Sequence, residues 1–325
     1  MRVLSGAQPT GKLHIGNYLG AIKQWLELQQ KNECIFFITD LHAITIPRDP
    51  KTFQKEILNT AVAYLAAGLD PEKSIIFIQS RLKEHTELCW LLNTITPVGE
   101  LFRMTQYKDK SKQFKKNINA GLLDYPVLQA ADILLYQTEL VPVGKDQLQH
   151  LELSRIIARK FNHRFGKTFK IPKAYVSKTG AKIMSLENPK KKMSKSIPSS
   201  CLFLFDEPKE IKAKIMSATT DSQKTIKYDL KRKPGISNLL TIYSLFSDKS
   251  IKELEKQFKG KGYAEFKKSL AQLLILKLEP FRTKKKELLS REAYIHKILN
   301  KGEKRARAIA QPTMTDVRQK MGLTI

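Results

Sequence analysis

A chain of 325 residues, 42% of them hydrophobic, is long enough to bury one or two apolar cores, and two domains are expected. Its 58 Lys and Arg against 31 Asp and Glu give a formal charge of +27, which predicts a polyanionic partner without separating RNA from DNA or an anionic membrane. Cys34, Cys89 and Cys201 are scattered, with no Cys-x-x-Cys pair to hold zinc or an iron–sulfur cluster, and no apolar run nears the ~20 residues of a membrane span, so a soluble cytoplasmic protein with reduced thiols is expected.

The first residues enter a strand within three positions and carry no charged-then-apolar leader. From there to about residue 200, short apolar runs alternate with helical patterns. The periodicity predicts strands over Arg2–Leu4, Ile35–Thr39, Ile75–Gln79 and Leu140–Val143. It predicts helices over Tyr18–Gln29, Phe53–Ala67, His85–Asn93, Val127–Tyr136 and Asp146–Phe161. Strands separated by helices imply a parallel, Rossmann-like α/β sheet, whose ligands bind beyond the carboxyl ends of the strands. The lysine-rich stretch near 104–124 interrupts the alternation and reads as an insertion between the two halves of the sheet. Beyond Phe205 the pattern turns helical and basic, over 208–218, 236–246, 251–258 and 263–289, so a C-terminal α-helical domain is expected.

Two polar blocks stand out. Pro9-Thr10-Gly11-Lys12-Leu13-His14-Ile15-Gly16-Asn17 lies between a strand and a helix, where unpaired backbone N–H groups and the positive end of the helix dipole suit an anion. His14 is placed to donate a hydrogen bond to a phosphate oxygen as charge develops there. Lys192-Met193-Ser194-Lys195-Ser196 lies in a proline-bounded loop too polar for a core, and its lysines suit a leaving pyrophosphate. Each block alone has an ordinary explanation, a βα turn or a solvated basic loop. Together, in this order, they point to nucleotide triphosphate chemistry. A third pattern is Tyr125, Gln129 and Asp132, spaced i, i+4 and i+7 on one helix face among apolar neighbours, where polar groups are costly to bury unless they bind something. Pro126 fits the first turn of that helix.

His14-Ile15-Gly16-Asn17 and Lys192-Met193-Ser194-Lys195-Ser196 resemble the two signatures of class I aminoacyl-tRNA synthetases, histidine-isoleucine-glycine-histidine and lysine-methionine-serine-lysine-serine; only Asn17 departs. Within that class the chain is similar, nearly end to end, to the bacterial tryptophan enzymes. Segments carrying this likeness include Asp40-Leu41-His42-Ala43-Ile44-Thr45, Gly99-Glu100-Leu101-Phe102-Arg103-Met104-Thr105-Gln106, Val141-Pro142-Val143-Gly144-Lys145-Asp146-Gln147 and Lys233-Pro234-Gly235-Ile236-Ser237-Asn238. The resemblance implies that L-tryptophan is activated with ATP to the adenylate and passed to tRNA(Trp). It implies a catalytic domain over 1–200 and a tRNA anticodon-binding helical domain over 201–325, whose last helix is free to pack back on the first. A homodimer is implied, formed partly by the insertion, with neither DNA nor membrane as partner.

By the same resemblance His14, Lys110, Lys192 and Lys195 are catalytic. ATP is held by Gln8, Pro9, Thr10, Gly16, Asn17, Gly144, Lys145, Asp146, Ile183, Met193, Ser194 and Ser196 together with Lys192 and Lys195. Tryptophan is held by Leu4, Ser5, His42, Tyr125, Gln129, Asp132, Val141, Val143 and Gln147, with Asp132 accepting the indole N–H. No protein metal site is implied; Mg²⁺ rides mainly on the ATP phosphates. Two positions depart from the tryptophan enzymes, Gln129 where methionine is common and Leu4 where phenylalanine is, and Tyr125, Gln129 and Asp132 echo the tyrosine-x-x-x-glutamine-x-x-aspartate pattern of the tyrosine enzymes. Gln8, where tyrosine enzymes usually carry aspartate, and the apolar Val141 and Val143 favour tryptophan. Tyrosine specificity and a non-catalytic RNA-binding relative are the alternatives. A small-molecule nucleotidylyltransferase shares the first block but not the second with a basic helical half.

Overall fold

Five short runs pair into one parallel sheet: β1 (Arg2–Ala7), β2 (Glu33–Ile38), β3 (Ser74–Ile78), β4 (Leu140–Pro142) and β5 (Lys173–Tyr175), in the order β3-β2-β1-β4-β5. The computed structural model describes the chain apart from Thr10, Gly11, 114–117, 177–181, Ser196, Lys224 and Ile325, and describes only the backbone at 110, 113 and 145. Leu4 pairs with Ile35, Ile35 with Ile75, Val3 with Leu140 and Val141 with Ala174. β2 and β3 are almost continuously apolar and buried, as parallel strands covered on both faces must be. The chain moves outward from β1 through β2 to β3, then returns to the other side of β1 as β4. Strand order therefore reverses between β1 and β4, and the carboxyl end of β1 leads into Gln8.

The longer helices of this part are α1 (Pro50–Ala66), α2 (Glu84–Asn93), α3 (Ala120–Leu135) and α4 (Leu148–Phe165). α1 begins one residue after Asp49, whose carboxylate accepts from Lys51 N at 3.1 Å. α3 corrects an expectation: Asn119 caps it, so Pro126 lies inside the helix rather than in its first turn. Asn119 accepts from Leu122 N at 2.9 Å and fixes the start two turns early, and Pro126 then removes one internal hydrogen bond. The lysine-rich stretch contains a helix of its own, Thr105–Gln113, before α3.

Two compact units divide the chain: Met1–Gly11, Trp25–Lys178 and Arg291–Ile325 form the first, Lys12–Gln24 and Thr179–Ser290 the second. This division differs from a cut at residue 200, for a physical reason. Within the second unit Met184 bridges to Lys192, Leu186 N donates to Ser200 O at 2.9 Å, Ile15 N to Leu202 O at 3.0 Å and Leu204 N to Leu13 O at 2.8 Å. These bonds tie 183–204 and the segment after Gly11 together. The second unit also holds the helices α5 (Pro208–Ser217), α6 (Pro234–Ser247), α7 (Ile251–Gln257) and α8 (Tyr263–Leu289). The buried Lys267 ammonium of α8 donates to Met216 O and Ala218 O at 3.1 and 2.6 Å, satisfying carbonyls at the end of α5.

The final helix, α9 (Glu292–Lys320), belongs to the first unit. Its Ala306, Ala310, Met314 and Val317 enter the core formed by β1–β4 and α2–α4. Gly302 lets it lie directly on β3, since a Cβ there would stand 1.9 Å from Ile76 O. Arg307 pairs with Glu84 at 3.0 Å and Arg318 with Glu87, fastening α9 to α2.

Candidate active site

In the second unit the first signature is organised by its own backbone. His14 is extended (φ −94°, ψ 161°) and caps the helical turn Ile15–Asn17: its Nδ1 accepts from Asn17 N at 3.1 Å, and Asn17 Oδ1 accepts from His14 N at 3.4 Å. With Nδ1 an acceptor, the neutral ring carries its proton on Nε2, a donor. Gly16 permits this, because a Cβ there would lie 2.9 Å from His14 Nδ1. A π-helical segment, Tyr18–Ile22, and a short α-helix, Lys23–Leu28, follow where one helix was expected.

The second signature reaches the same histidine. Met193 is buried, its N–H donating to Ile183 O at 3.0 Å, while Lys192 is exposed. Burial, then the ammonium charges of Lys195 and Lys192, push the His14 pKa down to about 4. At neutral pH His14 is therefore an uncharged donor in a field of two cations. Such a set suits an oxyanion or phosphate that gains charge during reaction.

In the first unit Asp132, 2% exposed, is the centre of a polar cluster. Its Oδ1 accepts from Gln79 Nε2 and His85 Nδ1, and its Oδ2 from His42 Nε2, each at 2.7 Å. Burial works to raise the Asp132 pKa, but the hydrogen bonds and charges of His42 and His85 outweigh it and hold the carboxyl below its ordinary value. The Tyr125 hydroxyl is 2.9 Å from His150 Nε2, and its ring meets His42 edge-on with centroids 6.2 Å apart. Tyr125 and Asp132 thus both address His42, as their shared face on α3 requires; Gln129, between them, is half-buried. Leu4 and Val141 lie in the core with α3, and Val143 packs against it.

The family model for tRNA synthetases class I (W and Y) matches residues 1–279. The chain belongs to this family. It is 50% identical over 326 aligned residues to the tryptophan–tRNA ligase of Caldanaerobacter subterraneus subsp. tengcongensis, covering 100% of this chain and 99% of that protein. The tryptophanyl-tRNA synthetase structure from Mycoplasma pneumoniae superposes with a TM-score of 0.88 at 35% identity, covering 99% of this chain and 98% of that one. The Campylobacter jejuni structure, a complex with ADP and tryptophan, superposes with a TM-score of 0.87 at 41% identity, covering 99% of this chain and all of that one.

Around this synthetase framework the remaining expected residues are placed as follows. Ser5 is half-buried in β1, Pro9 is buried, and Gln8 Nε2 donates to His42 O at 3.5 Å. Gly144 and Asp146 are exposed, and Gln147 Nε2 donates to Asp146 Oδ2 at 3.1 Å. Ile183 is buried, and Ser194 is exposed beside Lys195. Thr10 and Ser196, and the side chains of Lys110 and Lys145, lie outside the described residues. Reading the sequence missed Gln79, His85, Tyr136 and His150. Gln79 directly follows β3, so the rule that ligands sit beyond strand carboxyl ends was a usable signal; His85 carried none, since a lone histidine in a helix is unremarkable. Among the described residues no group of three His, Cys, Asp or Glu is placed to hold a metal ion, and none has the length and hydropathy of a membrane-spanning helix.

Proposed function

We propose that the chain acts as a tryptophan–tRNA ligase. The tryptophan carboxylate attacks the α-phosphate of ATP in line, pyrophosphate leaves, and the acyl group then moves to the terminal ribose of tRNA(Trp). One observation carries this reading: both class I signatures converge on a buried, neutral His14, in a chain matched end to end by tryptophan–tRNA ligases. Lys192, Lys195 and Lys110 neutralise the phosphates, and His14 donates to the oxygen that gains charge, so catalysis is positioning and charge stabilisation without a side-chain nucleophile. Gln8, Gly16, Asn17, Gly144, Asp146 and Ile183 hold the nucleotide. Asp132 accepts the indole N–H, and Leu4, Val141 and Val143 wall the ring. The groups facing His14 are ammonium rather than carboxylate, a poor donor set for a divalent cation, so Mg²⁺ belongs to the ATP complex, on the phosphates.

The basic helices α5 and α8 are assigned to tRNA. A second copy of the chain is assigned to the exposed apolar side chains Trp90 (70% exposed), Val98 and Phe102, whose exposure supports a homodimer. The buried free thiols of Cys34, Cys89 and Cys201 fit a cytoplasmic enzyme. The test is amino-acid-dependent ATP–pyrophosphate exchange, run separately with tryptophan and tyrosine. Exchange with tryptophan is expected; comparable kcat/KM with tyrosine overturns the specificity, and exchange with neither overturns the enzyme reading.

A further inference from the structure

The polar cluster around Asp132 extends past the side chains that address a substrate. His85 is fully buried and uses both ring nitrogens: Nδ1 donates to Asp132 Oδ1 at 2.7 Å, and Nε2 lies 2.8 Å from the Tyr136 hydroxyl. Because an ionised carboxylate only accepts, Nδ1 carries a proton and donates to it, while Nε2 shares its own hydrogen bond with the Tyr136 hydroxyl. The imidazole is fixed between Phe37, Phe77 and Tyr136, with centroids 5.8, 5.9 and 5.5 Å away. Gln79, the other donor to Oδ1, is anchored less well, since its buried Oε1 has no hydrogen-bond partner among the described residues.

A carboxylate offers about four acceptor sites. On Asp132 two are filled at Oδ1 by Gln79 and His85, and one at Oδ2 by His42. The remaining site is on Oδ2. We infer that His85, held by Tyr136, is a positioning residue that pins Oδ1 and so reserves the open site on Asp132 Oδ2 for the substrate's ring N–H. Without His85, the carboxylate is free to turn and to share its sites differently between Gln79 and His42. The same histidine follows Glu84, the partner of Arg307, so α9 contributes to where it stands. This inference rests on the assignment of Asp132 to the indole N–H and deepens it.

The experiment is ATP–pyrophosphate exchange with the full chain, comparing tryptophan with β-(3-benzothienyl)-L-alanine, a near-isostere whose sulfur replaces the N–H. The quantity read is the ratio of the two kcat/KM values. The parent chain is expected to favour tryptophan strongly. His85→Leu should lower that ratio by about tenfold, through the rise in KM for tryptophan, and Tyr136→Phe by about threefold, the scale of one lost buried hydrogen bond. His85→Asn, which keeps a donor near Nδ1, should stay within about threefold of the parent. A merely structural role lowers activity with both substrates equally and leaves the ratio unchanged. An unchanged ratio in His85→Leu and Tyr136→Phe overturns the inference; if His85→Leu fails to fold, Tyr136→Phe, which removes one oxygen, decides it. A parent chain with no preference for tryptophan overturns the Asp132 assignment itself, and the inference with it.

Discussion

In the proposed reaction Lys195 and Asp132 both act through charge, but at different moments. Lys195 lies on a polar loop and faces His14, so its ammonium does most where negative charge accumulates on the departing phosphates. Lys195→Ala should lower kcat for adenylate formation by roughly 10² or more, leaving the tryptophan dissociation constant nearly unchanged. Single-turnover kinetics beside equilibrium binding check it, and a proportional rise in that constant would make the loop a ground-state binding element. Asp132→Ala has the opposite signature. It removes a ground-state acceptor and strands Gln79, His85 and His42 as buried donors, so tryptophan binding should weaken and the denaturation midpoint fall. His14 supplies a pH test. Its pKa is about 4 in the fold against an ordinary value of 6.5, so between those values the unfolded chain binds a proton that the folded chain refuses. Stability should therefore be lost as pH falls from about 6.5 toward 4, and His14→Asn, which replaces the capping nitrogen with an oxygen acceptor, should flatten that loss in urea titrations.

Among the elements, α9 shows best what local sequence leaves unsaid. Its surface is basic, yet it completes the first core because Gly302 allows backbone contact with β3. Helix propensity predicts that Gly302→Ala gains about 1 kcal/mol. The packing predicts the reverse: the new Cβ meets Ile76 O and Ile76 C, backbone atoms that cannot swing aside, at a cost of about 1–3 kcal/mol or more. A lowered thermal midpoint is expected, and a raised one would show that α9 docks loosely. Legibility followed the same line. Strands β1–β4 and helix α8 were readable because apolar period or run length marks them, and the two signatures because Gly, His and Lys at fixed spacing serve one chemistry. β5 was not, being three exposed residues at a sheet edge. The start of α3 was obscured by Pro126, because the side-chain cap at Asn119 outweighs the proline preference. The Asp132 cluster was half legible: its carboxylate and His42 lie in recognisable segments, while Gln79, His85 and Tyr136 converge only once β3, α2 and α3 are packed.

Over the whole molecule the charge of +27 is the property most directly tied to a large partner. The two substrates of the first step are small and held by few groups, whereas a tRNA presents many phosphates to a basic surface. Each lysine or arginine that neutralises a phosphate releases condensed counterions, so the logarithm of tRNA affinity should fall linearly with the logarithm of salt concentration. Between about 50 and 200 mM salt, a surface making 6–10 phosphate contacts loses roughly 10³–10⁵ in affinity for duplex nucleic acid. Tryptophan activation should change far less over the same series, because the Asp132 cluster is buried and weakly screened. Filter binding of tRNA(Trp) and ATP–pyrophosphate exchange, measured on one salt series, separate the two. If the charge excess is compositional rather than a tRNA surface, the binding slope will be shallow and will stay so when lysines of α5 and α8 are replaced. A steep slope that flattens by about one unit for each phosphate-contacting lysine removed would assign those helices to the tRNA backbone.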